Sequence, residues 1–372
     1  MEFLKFLLIF IYILLIYFNY TQYKNKGTRT PMFLTMITVI LSTVMLFSTN
    51  IANLDWSITE ADVSGYRTLY ELYNLPEHPD YNAYFIFYRI MDLGKSMGLS
   101  YRMWWVSMSV MAMAVIIIAC KIHEYNINVF LASFMAYYEF VFYSGFKFFY
   151  GFCFLLLAYG FLLRNTKKDK ILFSLFTFIA AGFHVMYWLF FLLLIKPVKR
   201  PKLFVTLIVL VALFLTVLGR LSSSALYFLG VYLGAFDNEH ISSINNATII
   251  KIGFYIVLFV HLITVYVAYR VRLFKIKEGE NTVVADTLFY TVLLSLIFCP
   301  LYTITLTFMR YITAFSLVVI TASSSMMSKT YKERTLCVNL SFFMVMTFHI
   351  MKLITGGFGF YEREVGQFFN IF

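Results

Sequence analysis

Apolar residues come in long runs rather than in the alternating or one-sided patterns of soluble strands and helices. Such runs occupy 3–20, 31–52, 104–120, 127–142, 147–163, 172–195, 203–219, 248–269, 283–300, 308–327 and 335–355. A bilayer core about 30 Å thick is crossed by roughly 20 apolar helical residues, so the pattern predicts an all-α, polytopic membrane protein. The array reads as one integral membrane domain over 1–372. The run from Phe3 to Tyr20 has neither the basic start nor the small-residue cleavage site of a signal peptide, so a retained helix is expected there.

Short basic clusters punctuate the runs: Lys24, Lys26 and Arg29; Arg164, Lys167, Lys168 and Lys170; Lys196, Lys199, Arg200 and Lys202; Arg270, Arg272, Lys275 and Lys277; Lys329, Lys332 and Arg334. The positive-inside rule assigns all five to the cytoplasmic face. A straight span at 172–195 would put its two flanking clusters on opposite faces. The expected solution is a re-entrant helical hairpin over 172–195, breaking at Ala181-Gly-Phe-His184, since non-helical backbone at depth is tolerated where it lines a protein cavity. About ten spans then leave both termini outside. The outer face receives 53–103, 220–247 and 356–372, with an interfacial helix expected over Tyr81-Asn-Ala-Tyr-Phe-Ile-Phe-Tyr-Arg-Ile-Met.

Composition agrees: 61% of the 372 residues are hydrophobic and only 13% charged, which no soluble core could absorb. The net charge of +11 comes from the inter-span clusters, which removes nucleic acid as a partner. Cys120, Cys153, Cys299 and Cys337 stand singly, without metal-binding spacing, and read as small hydrophobes. No phosphate-binding glycine loop, dinucleotide fingerprint, zinc-protease or serine-hydrolase motif occurs in a fitting context. No cofactor and no metal are expected.

Polar chemistry gathers on the predicted outer side. The 53–103 segment carries Asp55, Glu60, Asp62, Arg67, Glu71, Asp80, Arg89 and Asp92 among many tyrosines. Lys147, Arg220, Arg310 and Lys352 fall at or just inside outer helix ends. Intramembrane cations are costly and often functional, and Lys and Arg are the groups that pair with phosphate oxygens. His184 falls at the hairpin tip, able to donate or accept a hydrogen bond. Glu139, near an outer span end, and Asp286, at a cytoplasmic helix start, read as structural.

Three stretches carry a family likeness. Ser144-Gly-Phe-Lys-Phe-Phe-Tyr-Gly is followed by an apolar helix, the basic turn Arg164-Asn-Thr-Lys-Lys, and Phe178-Ile-Ala-Ala-Gly-Phe-His184. Asp62-Val-Ser-Gly-Tyr66 with Tyr70 is the second, and Met309-Arg310-Tyr311 the third. Together the chain resembles the EpsG family of Wzy-like bacterial polysaccharide polymerases, with Lys147 standing where the family pattern has arginine and Asp62 spaced differently from its tyrosines. The resemblance implies a glycosyltransferase in the plasma membrane that moves a glycan repeat unit from polyprenyl diphosphate to the sugar hydroxyl of another lipid-linked repeat. Implied partners are the lipid-linked oligosaccharide, the bilayer, and assembly proteins such as a flippase or chain-length regulator. Asp62, with Glu60 in reserve, is then the general base and His184 a further catalytic group. Lys147, Arg310, Arg220, Arg89, Arg67, Tyr66 and Tyr311 are then substrate-binding. The competing readings are a transporter or flippase of the same lipid-linked glycan, for which paired broken helices would be the signature, and a membrane ligase or acyltransferase.

Overall fold

The computed structural model describes residues 2–24, 32–52, 62–72, 74–78, 80–139, 145–195, 206–208, 210–211, 214, 247–303, 309–326 and 331–360; side chains at several helix ends, Asp62 among them, are outside the description. All regular structure among these residues is helical. In chain order it comprises α1 (Glu2–Lys24), α2 (Met32–Ala52), α3 (Asp62–Leu72), α4 (Phe85–Ser96), α5 (Tyr101–Ile122), α6 (Ile127–Ser133), α7 (Phe146–Arg164), α8 (Lys167–Phe183), α9 (Ala247–Lys277), α10 (Val283–Leu294), α11 (Met309–Ser323) and α12 (Tyr331–Phe360). A π-helical turn, Phe134–Tyr138, extends α6, and 3-10 segments run over Val185–Leu194 and Ser295–Thr303.

Among the described residues, Tyr101–Ile122, Phe146–Arg164 and Tyr255–Lys277 are long and apolar enough to cross a bilayer. Shorter apolar helices cover Phe6–Gln22, Met32–Leu46, Ile127–Tyr138, Val185–Leu194 and Val283–Cys299. The protein is a helical membrane protein. Its outward faces carry large apolar side chains such as Phe3, Phe10, Phe33 and Phe214, as a lipid-facing surface should.

The central pillar is α7, apolar on all sides and buried from Phe146 to Leu163 apart from Lys147 and Phe154. It packs against α5 and, most extensively, against α8. Lipid offers little hydrophobic drive for helix association, so close approach through small residues matters. At Gly151 a Cβ would sit 2.2 Å from the Tyr187 ring and 2.9 Å from the Ala180 carbonyl oxygen. The same residue therefore brings both arms of the 167–194 segment onto α7.

The turn between α7 and α8 is written in its sequence. Asn165 adopts the left-handed conformation (φ 60°) that closes a helix. Thr166 then caps α8: its Oγ1 accepts from the Asp169 amide at 3.1 Å and its hydroxyl donates to the Asp169 carboxylate at 2.5 Å. The helix stops at Phe183. His184 is extended (φ −152°, ψ 124°), and its Nδ1 accepts from the Met186 amide at 3.3 Å, capping the 3-10 segment that follows.

That segment turns back along α8. Leu193, Leu194 and Ile195 line the same cavity as Asn165 and Lys170, so the chain returns to the level at which α8 began. The lengths are comparable, because the 17 residues of α8 rise about 25 Å and the ten 3-10 residues about 20 Å. Phe178 and Trp188, on either side of the break, meet with ring centroids 5.7 Å apart.

Glu139 follows the π-helical turn as the last described residue of its segment and stands opposite Tyr12 and Ser42, each in the middle of its helix. It is fully buried. The Ser42 hydroxyl donates to its Oε1 at 2.7 Å and the Tyr12 hydroxyl donates to its Oε2, so the carboxyl joins α1, α2 and the π-helical turn. Desolvation makes such a group acceptable only when its oxygens are satisfied. Asp286 has the structural role expected of it, paired with Arg272 and accepting from Thr282 at 2.8 Å.

Candidate functional site

Three helical N-termini meet at one end of the bundle: the start of α7 at Phe146, the start of the 3-10 segment at Val185, and the start of α11 at Met309. Unsatisfied N–H groups and the helix dipoles make such ends positive. Lys147 and Arg310 lie in the first turns of α7 and α11, and His184 caps the 3-10 segment. The charges of Lys147 and Arg310 both act on His184. The Tyr187 ring ties these parts together. Its hydroxyl donates to the Phe148 carbonyl at 2.6 Å, its ring stacks on Phe148 at 5.3 Å, and its neighbour Phe190 stacks on Tyr311 at 4.5 Å.

The roof of the site is aromatic. The ammonium of Lys147 lies 3.9 Å from the centroid of Tyr84 and 5.3, 5.6 and 5.9 Å from those of Tyr66, Tyr88 and Phe87. The nearest of these, with Tyr84, contributes about 0.5–2 kcal/mol. Tyr84 also meets the His184 imidazole, with centroids 5.6 Å apart. The four-residue spacing of Tyr84, Tyr88 and Asp92 sets them on one face of α4. Tyr81 stacks on Tyr88 at 5.9 Å and donates to Asp92 at 3.1 Å, so a partly exposed carboxylate marks the far end of this aromatic strip.

Local sequence explains the positions. The Phe146 ring stacks on Trp105 at 3.4 Å, pinning the start of α7 to α5. Gly182 admits α4: a Cβ there would lie 2.5 Å from Ile86 and 2.9 Å from Phe85. Without that gap the roof could not close over His184.

Of the residues singled out from sequence, the structure brings together Lys147, His184, Arg310 and Tyr66. Tyr311 stands beside them but is buried, its ring held between Phe190 and Phe298. Arg67 pairs with Glu71 at 2.9 Å one turn along α3, and the Arg89 side chain is exposed on α4. Asp62 opens α3, four residues before Tyr66, with its side chain outside the described residues. Glu60 and Arg220 lie outside them altogether. Sequence reasoning missed Tyr84, Phe87 and Tyr88 as the cage of Lys147. The available signal was the four-residue repeat of tyrosine in a stretch already read as an interfacial helix.

The arrangement can hold an anion. Two cations and a histidine gather at the starts of three helical segments beneath the rings of α4. No curated protein and no solved structure shows significant similarity to the chain. The model of the EpsG family, which is associated with exopolysaccharide biosynthesis, matches residues 38–362, most of the chain, and the protein belongs to the EpsG family.

Proposed function

We propose that this membrane protein is a polysaccharide polymerase acting at the outer face of the plasma membrane. The donor is a glycan repeat unit on polyprenyl diphosphate; the acceptor is a sugar hydroxyl of another lipid-linked repeat. The observation that carries this reading is the convergence of Lys147, His184 and Arg310 at three helix N-termini beneath the rings of α4.

In this scheme the acceptor oxygen forms a bond to the donor's anomeric carbon as the bond from that carbon to the diphosphate oxygen breaks. The acceptor proton passes to a carboxylate, and the polyprenyl diphosphate leaves. A single displacement inverts the anomeric centre. A positioned general base contributes about 10²–10⁴-fold, the role assigned to Asp62 with Glu60 in reserve. Lys147 and Arg310 stabilise the charge that grows on the departing diphosphate, and His184 hydrogen-bonds a phosphate oxygen.

The membrane arrangement belongs to the same proposal. Ten spans place both termini outside and the five basic clusters inside. The 167–194 segment is then a hairpin entering from the cytoplasmic face, its His184 tip lifted to the level of Phe148, whose ring lies 5.3 Å from the imidazole.

The test is a set of variants assayed for polymer at matched protein levels. Asp62→Asn and Arg310→Ala should each abolish chain growth. Normal polymer from either removes that residue from the scheme, and retention of the donor's anomeric configuration rejects the single displacement.

A further inference from the structure

Near the middle of α9 a histidine, His261, interrupts the apolar run and is fully buried. Burying an imidazole is costly unless its nitrogens are bonded, and ionisable groups inside spans are often functional. Both ring nitrogens of His261 bond to the 3-10 segment that follows α10.

The bonds fix the tautomer. The Ser295 hydroxyl donates its one proton to the Val292 carbonyl at 2.6 Å, so its oxygen accepts from Nε2–H of His261, also at 2.6 Å. Nδ1 is then the acceptor, and the Cys299 thiol donates to it at 3.5 Å. Ser295 and Cys299 are themselves buried. One ring therefore grips the segment Ser295–Thr303 at two positions, with Phe298 between them. The segment needs such an anchor, because 3-10 bonds have poorer geometry than α-helical ones and Pro300 removes a backbone donor.

The grip reaches the candidate site. Phe298 meets the ring of Tyr311 with centroids 4.5 Å apart, and Phe190 stacks on the same ring at 4.5 Å. Tyr311 is thus clamped between the return arm after His184 and the segment held by His261. Its chain neighbour Arg310 stands in the first turn of α11, and the charge of Arg310 acts on His184. A shift of the 3-10 segment along α9 would carry Phe298 with it and release one jaw of the clamp.

We propose that His261 is a positioning residue for Arg310: bonded to Ser295 and Cys299, it holds Phe298 against Tyr311 and so sets the start of α11. The catalytic consequence rests on the polymerase reading, in which Arg310 meets the departing diphosphate. The placement of Arg310 rests on the geometry alone.

Two measurements on the full-length protein separate these parts. The first needs no substrate. Arg310→Cys is labelled with a water-soluble thiol reagent, the four native cysteines being buried. Adding His261→Leu, which removes both ring bonds, should change the labelling rate at position 310 severalfold and leave that of Lys147→Cys unchanged. His261→Gln, which keeps a donor and an acceptor, should restore the original rate. Ser295→Ala combined with Cys299→Ala cuts the same bonds from the other side and serves if His261→Leu does not fold. The second measurement is chain growth from lipid-linked repeat units. His261→Leu should lower kcat about ten- to a hundredfold, as a misplaced group does, with KM held. In an Arg310→Lys background the same substitution should cost far less, whereas in Lys147→Met it should cost the full factor. Unchanged labelling at 310, an equal change at 147, or an undiminished loss of kcat in Arg310→Lys would each overturn the proposal. Shifted labelling in a protein whose wild type makes no polymer upholds the placement of Arg310 and rejects the polymerase reading instead.

Discussion

Replacing Lys147 with methionine removes the central cation and little else. The methionine body is apolar and polarisable, so it still packs against the rings of Tyr66, Tyr84 and Tyr88. The cost to folding is bounded by the lost contact with the Tyr84 ring, 3.9 Å away, which at a partly buried site is about 0.5–2 kcal/mol. The cost to catalysis is larger. Removing one group that stabilises transition-state charge takes about 3–4 kcal/mol from the barrier reduction. At about 1.36 kcal/mol per decade this is a loss of roughly 10²–10³-fold in rate. Arg310 and the three helix ends remain, so activity falls without vanishing. Lys147→Arg restores the charge and stacks on the same rings, and should stay within about tenfold of wild type. The assay is the initial rate of glycan chain growth from lipid-linked repeat units, with the thermal midpoint measured on the same preparations. A methionine variant that folds normally and polymerises within about tenfold of wild type refutes the role assigned to Lys147.

Other perturbations test the scaffold. Gly151→Ala drives a methyl into the Tyr187 ring and the Ala180 carbonyl; the expected destabilisation is about 1–3 kcal/mol, and an unchanged thermal midpoint contradicts it. His123, in the turn after α5, interacts through Nε2 with the Leu157 carbonyl at 2.8 Å and through Nδ1 with Arg164 at 3.3 Å. It is therefore a neutral donor at Nε2 and an acceptor at Nδ1. Burial pushes its pKa down from 6.5 to about 4, against the opposing pull of the Leu157 bond. The unfolded chain takes up the proton first, so this contribution is full above pH 6.5 and declines as pH falls toward 4, by at most about 3 kcal/mol. A His123→Gln variant, which keeps both hydrogen bonds, should lose that part of the acid sensitivity in thermal melts; an unaltered pH profile contradicts the assignment. A cysteine at Lys199 should label from the cytoplasmic side alone if the hairpin returns to that face, and labelling only from outside removes it.

Local features of the fold were legible where one or two residues decide the backbone. Asn165 and Thr166 end one helix and start the next by their own conformations and hydroxyl chemistry, and Gly182-Phe-His184 marks the end of α8. The long apolar runs announce a helical membrane protein because few residues in them could meet water. Non-local contacts were not legible. The cage on Lys147 depends on Tyr84 and Tyr88, some sixty positions earlier, delivered by α4 docking over Gly182. Periodicity shows that these tyrosines share a face but not what the face meets. The partners of Glu139 were hidden because span limits read from hydropathy do not reveal which hydroxyls of α1 and α2 stand opposite it. The 3-10 course of Val185–Leu194 was hidden as well, since an apolar run has the same composition in either helix. In the candidate site, the two cations were found by charge at expected span ends and the histidine by its place at the break of the expected hairpin. Their convergence is a property of three helix starts that no single segment encodes.

The central claim is that this protein joins lipid-linked glycan repeats at the site of Lys147, His184 and Arg310. The most direct measurement is to incubate the purified full-length protein in liposomes with a polyprenyl-diphosphate-linked repeat unit, without nucleotide sugar, and to resolve the products on a gel. The account predicts a ladder of lengthening glycans that disappears in Arg310→Ala. A substrate that stays single contradicts it, and one that stays single but crosses the bilayer makes the protein a transporter.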